Sequence, residues 1–380
     1  MAVAGAVVVA TPALIAVDWG TTALRGALLA ADGTVLARHD APRGLLSIAP
    51  GGWQAAFDAE FGVWRASHPG LLCLMAGMVG SRQGWAEAPY CPCPASLADL
   101  AAGLHWLVPG ALAIVPGLSS HTPTHTHTPT HTHTDTDTDT DTDTDAHAAN
   151  PTLAVPDVMR GEETQVFGAL QALGLAGDAD ATLVLPGTHS KWVTVRGGRI
   201  TGFATHMTGE CYALLRQQSI LARTLPADDS AWLPEAFDQG VALAQTPGGL
   251  LHHVFAVRTL ALFERLPAPA LACLLSGLVI GEELRAQALP PGQTVIAVGS
   301  PALTLRYQRA LGLLGVAVQV VDAQAAWLGL AALAALAAPT AMTAPGALAA
   351  PPGSVRGRAE SSTTSPTSLP TTPPPGTLPR

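Results

Sequence analysis

The sequence has few charged residues and no surplus of basic ones. Only 12% of its 380 residues are charged, and the net charge is −9. Six aspartates within residues 135–145 supply most of this charge, and without them the balance would be −3. Binding to DNA or RNA depends on lysine and arginine side chains that neutralise phosphates. The composition therefore offers no electrostatic case for a nucleic-acid partner.

Long apolar runs with basic flanks are missing as well. The alanine-rich run at residues 325–338 is shorter than the ~20 residues that a membrane-spanning helix needs, and we interpret it as a buried terminal helix. Residues 1–10 resemble the apolar core of a secretory signal, but no basic residue precedes them. Cleavage near Ala13 would also free a strand that the fold needs. We interpret residues 1–13 as a leader extension and expect no membrane partner.

Cysteine is too scarce and too irregularly spaced for a disulfide framework or a zinc site. The chain has five cysteines, an odd number. Cys91 and Cys93 lie close together but are isolated from any second pair. Buried or loop thiols are typical of the reducing cytoplasm, which is where we expect the protein to act.

Apolar residues vanish from residues 121–144, where threonine alternates with histidine, proline and then aspartate. Such a segment has nothing to bury in a core. Six histidines in and just after it could bind transition metals, but an unfolded repeat lacks the outer contacts that orient metal ligands. We interpret residues 119–149 as a disordered insert and the Pro-, Ser- and Thr-rich residues 339–380 as a disordered tail.

Elsewhere, hydrophobic periodicity predicts a mixed α/β protein. Strands are predicted at residues 14–17, 23–29, 71–75, 113–117, 181–185, 193–195, 294–298 and 316–321. Helices are predicted at residues 52–67, 97–106, 213–221, 271–284 and 323–337. A further helix is predicted to start near residue 162, and residues 232–266 are predicted to contain several more.

The first two strands flank a polar turn, which predicts a β-hairpin. Its tip and returning strand carry Asp18, Gly20, Thr21, Thr22 and Arg25. Glycine lets the backbone approach an anion closely, and backbone N–H groups and threonine hydroxyls donate to phosphate oxygens. Aspartate is a hard oxygen ligand that suits Mg²⁺. The pattern indicates a phosphate loop, although an ordinary tight turn favours the same residue types.

A second hairpin of the same kind is predicted at residues 181–195. Its tip carries Gly187, Thr188 and His189, and Lys191 follows on the returning strand. Because both hairpins place a Gly-Thr pair between two apolar strands, we interpret the second as the partner of the first.

Acidic residues begin two predicted helices. Glu162 and Glu163 follow Arg160 at one helix N-terminus, where the helix dipole favours carboxylates. One acid suffices for that purpose, so two acids beside an arginine indicate a site. Glu210 lies near the start of the other helix.

Two glycine-containing turns extend the candidate site. One presents Ser81 and Arg82 beside Trp85, which suits a polyol or a sugar acid, although a turn with a surface arginine explains the composition equally well. The other places Gly299 and Ser300 between a strand and a helix, in a turn of the type that accepts an adenosine.

Five motifs in chain order resemble the 2-dehydro-3-deoxygalactonokinase family, within the sugar kinase, heat-shock chaperone and actin superfamily. They are Ala-Val-Asp-Trp-Gly-Thr-Thr at 16–22, Met-Ala-Gly-Met-Val-Gly-Ser at 75–81, Met-Arg-Gly-Glu-Glu-Thr-Gln at 159–165, Pro-Gly-Thr-His-Ser-Lys-Trp at 186–192 and Met-Thr-Gly-Glu at 207–210. The resemblance implies an α/β fold of two ribonuclease H-like lobes with an active-site cleft between them. It also implies that ATP, with Mg²⁺, phosphorylates the C6 hydroxyl of 2-dehydro-3-deoxy-D-galactonate in galactonate catabolism.

The same resemblance implies roles for the candidate residues. Asp18 would bind Mg²⁺, and Glu162 occupies the place of the general base in glycerol kinase-like relatives, with Glu163 close behind as the other candidate. Nucleotide contacts are expected from Gly20, Thr21, Thr22, Arg25, Gly187, Thr188, His189, Gly299 and Ser300. Substrate contacts are expected from Ser81, Arg82, Trp85, Arg160, Lys191 and Glu210.

The resemblance also predicts an N-terminal lobe at residues 14–178, which contains the insert, and a C-terminal lobe at residues 179–338. Two rival functions stay open: a kinase of another sugar or sugar acid, and an actin-like sensor that binds a nucleotide without turnover. The oligomeric state stays open too, with a homodimer as one option.

Overall fold

A computed structural model describes residues 10–121, 155–228, 232–290 and 292–341, with side chains to residue 337. Most of the predicted leader, nearly all of the histidine- and aspartate-rich insert and the tail lie outside the described residues. At the edges of those segments the structure places Pro12 and Ala13 in a strand, Ser119 and Ser120 in another strand and residues 339–341 in a helix. The predictions made for the rest of those segments are not addressed by the structure.

The described residues contain fourteen strands, ten α-helices and three short 3-10 helices. The strands are β1 (Pro12–Trp19), β2 (Leu24–Ala30), β3 (Val35–Ala41), β4 (Leu72–Ala76), β5 (Tyr90–Pro92), β6 (His105–Val108), β7 (Leu112–Ile114), β8 (Gly117–Ser120), β9 (Asp157–Met159), β10 (Ala181–Leu185), β11 (Ser190–Arg196), β12 (Arg199–His206), β13 (Thr294–Gly299) and β14 (Ala317–Asp322). The helices are α1 (Trp53–Ser67), α2 (Leu97–Ala102), α3 (Glu162–Ala172), α4 (Thr208–Gln218), α5 (Pro234–Ala244), α6 (Gly249–His253), α7 (Phe255–Leu262), α8 (Ala268–Gln287), α9 (Pro301–Leu313) and α10 (Ala325–Ala341).

The first large sheet has the strand order β3-β2-β1-β4-β7-β6. β1, β2 and β3 follow one another along the chain and pair antiparallel. β4 then joins the other side of β1 in parallel, and β7 joins β4 in the same direction. α1 links β3 to β4 and packs Trp53, Phe57 and Phe61 into the core on one face of this sheet.

The second large sheet, β12-β11-β10-β13-β14, repeats this plan. β10, β11 and β12 pair antiparallel in succession, whereas β13 and β14 are added in parallel beside β10. An antiparallel triplet extended by parallel strands is the ribonuclease H-like arrangement. Its occurrence in both sheets confirms the predicted fold class.

α3 and α10 cross in direct backbone contact. A Cβ atom added to Gly168 would lie 1.8 Å from the carbonyl oxygen of Ala325, and one added to Gly329 would lie 2.0 Å from that of Thr164. Only glycine permits such an approach. The crossing fixes the position of α3, which carries the paired glutamates at its start. α10 also contacts β1 and β2, although the predicted limits assign residues 325–338 to the C-terminal lobe. The lobe limits at residues 14–178 and 179–338 stay a prediction.

Most predicted elements are confirmed, with three differences, the first being that β3 and β12, the outer antiparallel strands of the two large sheets, were not predicted. The helix predicted at residues 97–106 is wrong beyond Ala102, because the chain turns at Gly103 and enters β6, which pairs with β7. The small sheet β5-β8-β9 was not predicted as a unit, since its strands are short and β5 contains a proline. No helix within the described ranges is long and apolar enough to cross a membrane.

Candidate active site

The tip of the first hairpin is held by backbone hydrogen bonds. Within the turn, the Gly20 N–H donates to the carbonyl oxygen of Ala23 at 2.9 Å. The carbonyl oxygens of Gly20 and Thr21 accept from the N–H groups of Leu45 and Leu46 at 3.0 and 3.2 Å. The side chains of Thr21 and of its neighbour Thr22 are exposed. The turn is thus fixed from behind while its hydroxyls face solvent, as a phosphate loop requires.

Asp18 lies where three backbone segments meet. A Cβ atom added to Gly77, in the loop after β4, would lie 3.2 Å from Asp18 Oδ1 and 2.8 Å from the carbonyl oxygen of Trp19. A Cβ atom added to Gly161 would in turn lie 3.1 Å from the Cα atom of Gly77. Both glycines have positive φ angles, +93° and +109°, which other residues rarely adopt. This close packing places the N-terminus of α3 beside Asp18.

The paired glutamates occupy different surroundings at that N-terminus. Glu162 Oε2 accepts from the Arg160 N–H at 3.0 Å, and Glu163 Oε2 accepts from the Gly161 N–H at 2.7 Å. Glu162 is half-buried, whereas Glu163 is completely buried. Burial and the charge of Glu162 raise the pKa of Glu163 from 4.5 to about 8. At neutral pH, Glu163 is therefore a neutral acid beside a second, more accessible carboxyl group.

Three charged side chains act on one another at this point. Burial raises the pKa of Glu162, the Lys191 ammonium opposes that rise, and the Asp18 carboxylate adds to it. Burial likewise raises the pKa of Asp18, and Arg25, its partner across the β1–β2 ladder, opposes the rise. The first hairpin, the second hairpin and the start of α3 therefore converge.

Lys191 is the only lysine in the sequence and is 6% exposed. Its Nζ donates to the carbonyl oxygen of Val158 at 2.9 Å and to Thr205 Oγ1 at 2.8 Å. The N–H and hydroxyl of Thr205 both donate to the Asp157 carboxylate at 2.6 Å. Lys191 thus ties β11 to β9 and β12, and its charge acts on Glu162.

The tip of the second hairpin rests on the start of α4. The Glu210 N–H donates to the carbonyl oxygen of Thr188 at 3.0 Å, and the Glu210 carboxylate lies 2.6 Å from His189 Nε2. A Cβ atom added to Gly209 would lie 2.4 Å from the carbonyl oxygen of Gly187. Glu210 therefore supports the loop, and its carboxylate is paired with a histidine of that loop.

A cavity of about 310 Å³ opens beside this loop. Gly187, Thr208, Ser276, Leu303, Arg306 and Tyr307 are among the residues that line it. The turn at Gly299 lies next to the loop, because a Cβ atom added there would lie 3.7 Å from the carbonyl oxygen of Pro186. Ser300 is exposed and directly precedes α9, which supplies part of the cavity wall. The volume suits part of a nucleotide.

Buried polar atoms without a partner mark a second part of the site. Arg160 is 8% exposed; its Nη2 donates to the carbonyl oxygen of Ala88 at 2.7 Å, and its guanidinium lies 4.4 Å from the centre of the Tyr90 ring. Among the described residues, Arg160 Nε and Nη1, Ser81 Oγ and Glu163 Oε1 have no hydrogen-bond partner. Buried polar atoms are nearly always paired, so these atoms indicate where a polar ligand belongs.

Arg82 and Trp85 lie outside that group of unpaired atoms. The Arg82 side chain is 82% exposed and lies 3.5 Å from the Glu87 carboxylate. The Trp85 ring packs against Trp19 and Phe57, with ring centres 6.5 and 5.6 Å apart, as part of the core.

Sequence reasoning gave no role to Glu283, a buried carboxyl group on α8 that accepts four side-chain hydrogen bonds. The available signal was an acid within a helix whose apolar residues are spread over all of its faces. The four donors lie far away in the sequence, so periodicity alone could not identify them.

The sequence and the fold are both similar to those of sugar-acid kinases. The chain matches the model of the 2-keto-3-deoxy-galactonokinase family over residues 18–128 and 146–333. It is 34% identical over 329 residues to the probable 2-dehydro-3-deoxygalactonokinase of Rhizobium meliloti, covering 84% of this chain and 95% of that relative. It is 32% identical over 321 residues to the 2-dehydro-3-deoxygalactonokinase of Escherichia coli, covering 83% and 95%. The crystal structure of a proposed 2-dehydro-3-deoxygalactonokinase from Sinorhizobium meliloti matches with a TM-score of 0.69 at 31% identity, over 86% of this chain and 99% of that one.

Proposed function

The chain belongs to the 2-keto-3-deoxy-galactonokinase family, and on that premise we propose how its own residues transfer a phosphoryl group from ATP to a sugar acid. The substrate is 2-dehydro-3-deoxy-D-galactonate, and the acceptor is its C6 hydroxyl. To catalyse phosphoryl transfer, a protein mainly has to position the two reactants and neutralise the charge on the phosphates. The two hairpin tips hold the β- and γ-phosphates, and the cavity beside the second tip takes the adenosine.

The observation that carries this proposal is the convergence of Asp18, Glu162 and Lys191 from three separate elements. The charges of Asp18, a hard oxygen ligand, and Lys191 both act on the pKa of Glu162, a proton acceptor, and Asp18 and Lys191 flank the Gly-Thr tips of the two hairpins. That combination suits an alcohol that is activated and phosphorylated at one point.

We assign the general base to Glu162 rather than to Glu163. Glu162 is half-buried and accepts the Arg160 N–H through Oε2, and we assign Oε1 to accept the proton of the C6 hydroxyl. Glu163 is completely buried, and its pKa of about 8 keeps it protonated at neutral pH. A carboxyl group that already holds a proton cannot accept another.

The residues at the first tip fit a magnesium ion. Mg²⁺ is commonly held by one or two carboxylates together with substrate phosphates. Asp18 offers such a carboxylate. The described residues hold no cluster of three or more His, Cys, Asp or Glu side chains that could bind a metal by themselves, so an ion at Asp18 would need the substrate phosphates as further ligands. Bound at Asp18, Mg²⁺ would neutralise phosphate charge.

We assign the substrate carboxylate to Arg160, assisted by Ser81. Arg160 keeps two guanidinium nitrogens unpaired and buried, and a charged guanidinium donates strong hydrogen bonds to a carboxylate. Lys191 already donates to two protein oxygens, so we assign it a different role, which is to balance the negative charge of Glu162.

We place this enzyme in the cytoplasm, with small molecules rather than nucleic acids as its partners. None of the five cysteines, which all lie in the described part of the chain, forms a disulfide, and this suits a reducing compartment.

An ADP-release assay with a panel of sugar acids tests the proposal. We expect kcat/KM for 2-dehydro-3-deoxy-D-galactonate to exceed that for its C4 epimer by roughly 10²-fold, because a misplaced hydroxyl leaves buried polar groups unpaired. A better substrate elsewhere in the panel would make the chain a kinase of another sugar acid. ADP binding without turnover of any substrate would instead indicate a nucleotide-binding sensor.

A further inference from the structure

A buried carboxyl group lies behind the second hairpin, and none of the steps above uses it. Glu283 is 4% exposed, and its donors come from three other elements. One oxygen accepts from Ser190 Oγ at 2.9 Å and Trp192 Nε1 at 2.6 Å, and the other accepts from Tyr307 OH at 2.7 Å and Thr208 Oγ1. We propose that Glu283 is a positioning residue that fixes the nucleotide side of the active site. This inference rests on the proposed kinase function.

The first connection runs from Glu283 to the phosphate loop. Ser190 directly follows the loop, and Thr208 is the first residue of α4, on which the loop rests. The next residue, Gly209, approaches the carbonyl oxygen of Gly187 so closely that an added Cβ atom would lie 2.4 Å from it. By holding Ser190 and Thr208 together, Glu283 holds the loop against its support.

The second connection runs from Glu283 to the cavity. Thr208 and Tyr307 both line the 310 Å³ cavity. Burial and the neighbouring Glu283 raise the pKa of Tyr307 well above its ordinary value, so its hydroxyl keeps the proton that it donates. One carboxyl group therefore supports both the phosphate loop and the wall against which the adenosine would lie.

The chemistry of the donors predicts where a substitution would act. Glu283→Gln keeps the size of the side chain but replaces one oxygen by an amide NH₂ group. The indole of Trp192 can only donate, so the amide oxygen must stay on that side. The NH₂ group then faces Thr208 and Tyr307, whose hydroxyls can no longer donate to it. The disturbance falls on the cavity wall and on the start of α4.

Three measurements on the full-length enzyme test this inference: the Kd for ADP by calorimetry, the KM for ATP and the KM for the sugar acid. For Glu283→Gln we expect the Kd for ADP and the KM for ATP to rise about 10-fold, as for loss of buried hydrogen bonds to a charged group. The KM for the sugar acid should change less than about 2-fold. The matched control is Glu282→Gln, because Glu282 precedes Glu283 on the same helix and pairs with Arg285 at the surface. All three constants should keep their wild-type values in that control.

Two results with the Glu283→Gln enzyme would overturn the inference. One is a folded Glu283→Gln enzyme that binds ADP with wild-type affinity; the other is an equal rise in both KM values, which would indicate general loosening. If Glu283→Gln fails to fold, Tyr307→Phe removes one donor and should weaken ADP binding about 3-fold. Unchanged binding in that variant would also overturn the inference. Because ADP binding needs no sugar acid, failure of the proposed substrate would be recognised separately.

Discussion

The two hairpins share a backbone plan and differ in charge. In the first, Asp18 near the end of β1 pairs across the ladder with Arg25, which is exposed. In the second, Leu185 ends β10 and pairs with Lys191, which is buried. The first hairpin therefore carries an acid with its own counter-charge. The second carries a cation whose acidic neighbour, Glu162, comes from another element.

This difference teaches that the repeated backbone supplies two similar cradles and that charge decides what each can do. The acidic cradle can hold a metal ion. Lys191 in the basic cradle balances the negative charge of Glu162, which we assign as the general base. A duplicated fold can thus build an asymmetric site by changing a few side chains while the strand order stays the same.

The two tips also differ in what holds them. Backbone N–H groups of Leu45 and Leu46 hold the first tip, and backbone contacts are insensitive to most substitutions. The second tip depends on side chains as well, through the contact of Glu210 with His189 and the network around Glu283. We therefore expect the second tip to be the more vulnerable to point mutation.

The largest effect should follow from removing the acid of the first hairpin. Asp18→Asn keeps the shape of the turn but loses a charged Mg²⁺ ligand, so we expect kcat/KM to fall by about 10³-fold. The melting temperature should stay close to that of the wild type. Steady-state kinetics and thermal melting measure both quantities. Asp32→Asn, in the exposed turn between β2 and β3, is the matched control. Full activity in folded Asp18→Asn would remove Asp18 from the mechanism.

Local signals in the sequence were enough to predict both hairpins. Apolar strands around a Gly-Thr pair are visible within about 15 residues, and they gave the correct strands and tips. The close approach of Gly77 and Gly161 was not predictable, because it joins segments far apart in the chain. The partners of Lys191 were missed for the same reason: Val158 and Thr205 reach it only through tertiary packing.

The next largest effect separates the paired glutamates. Because a positioned carboxylate base is worth ~10²- to 10⁴-fold, Glu162→Gln should lower kcat by roughly 10²-fold with a smaller change in the KM for ATP. Glu163→Gln should lower kcat by less than about 10-fold, since that side chain is already neutral at pH 7. Side-by-side kinetics of the two variants decide between them. A larger loss in Glu163→Gln would move the base by one residue, and no loss in either would make Glu210 the next candidate.

Removing the cation of the second hairpin should have an intermediate effect. Lys191→Gln leaves the carbonyl oxygen of Val158 and the Thr205 hydroxyl without their charged donor, so we expect kcat to fall about 10-fold. The KM for the sugar acid should change less than about 2-fold. Arg196→Gln, at the exposed far end of β11, is the matched control. A rise in that KM with unchanged kcat would return Lys191 to substrate binding.

A smaller effect concerns stability and pH. Glu163 stays protonated in the folded enzyme up to about pH 8, whereas in the unfolded chain it ionises near 4.5. Between these values the folded state binds more protons, so the contribution of Glu163 to stability falls as pH rises. Glu163→Gln has no ionisable group at this position, so its stability does not fall with pH for this reason. When both proteins are melted at pH values from about 5 to 9, the melting temperature of the wild type should therefore fall relative to that of the variant as pH rises. A constant difference across that range would contradict the neutral state of Glu163.

The smallest effect concerns a cation that belongs to neither hairpin. Arg82 is 82% exposed, and its ion pair with Glu87 lies at the surface, where such pairs contribute about 1 kcal/mol or less. We therefore expect Arg82→Ala to change kcat/KM by less than about 2-fold, whereas Arg160→Gln, which removes a buried guanidinium, should lower it roughly 10²-fold. Kinetics with the sugar acid as the varied substrate measure both. If Arg82→Ala instead raises the KM for the sugar acid 10-fold, the loop after β4 must close over the substrate during turnover. The carboxylate would then be shared between a mobile arginine and a fixed one.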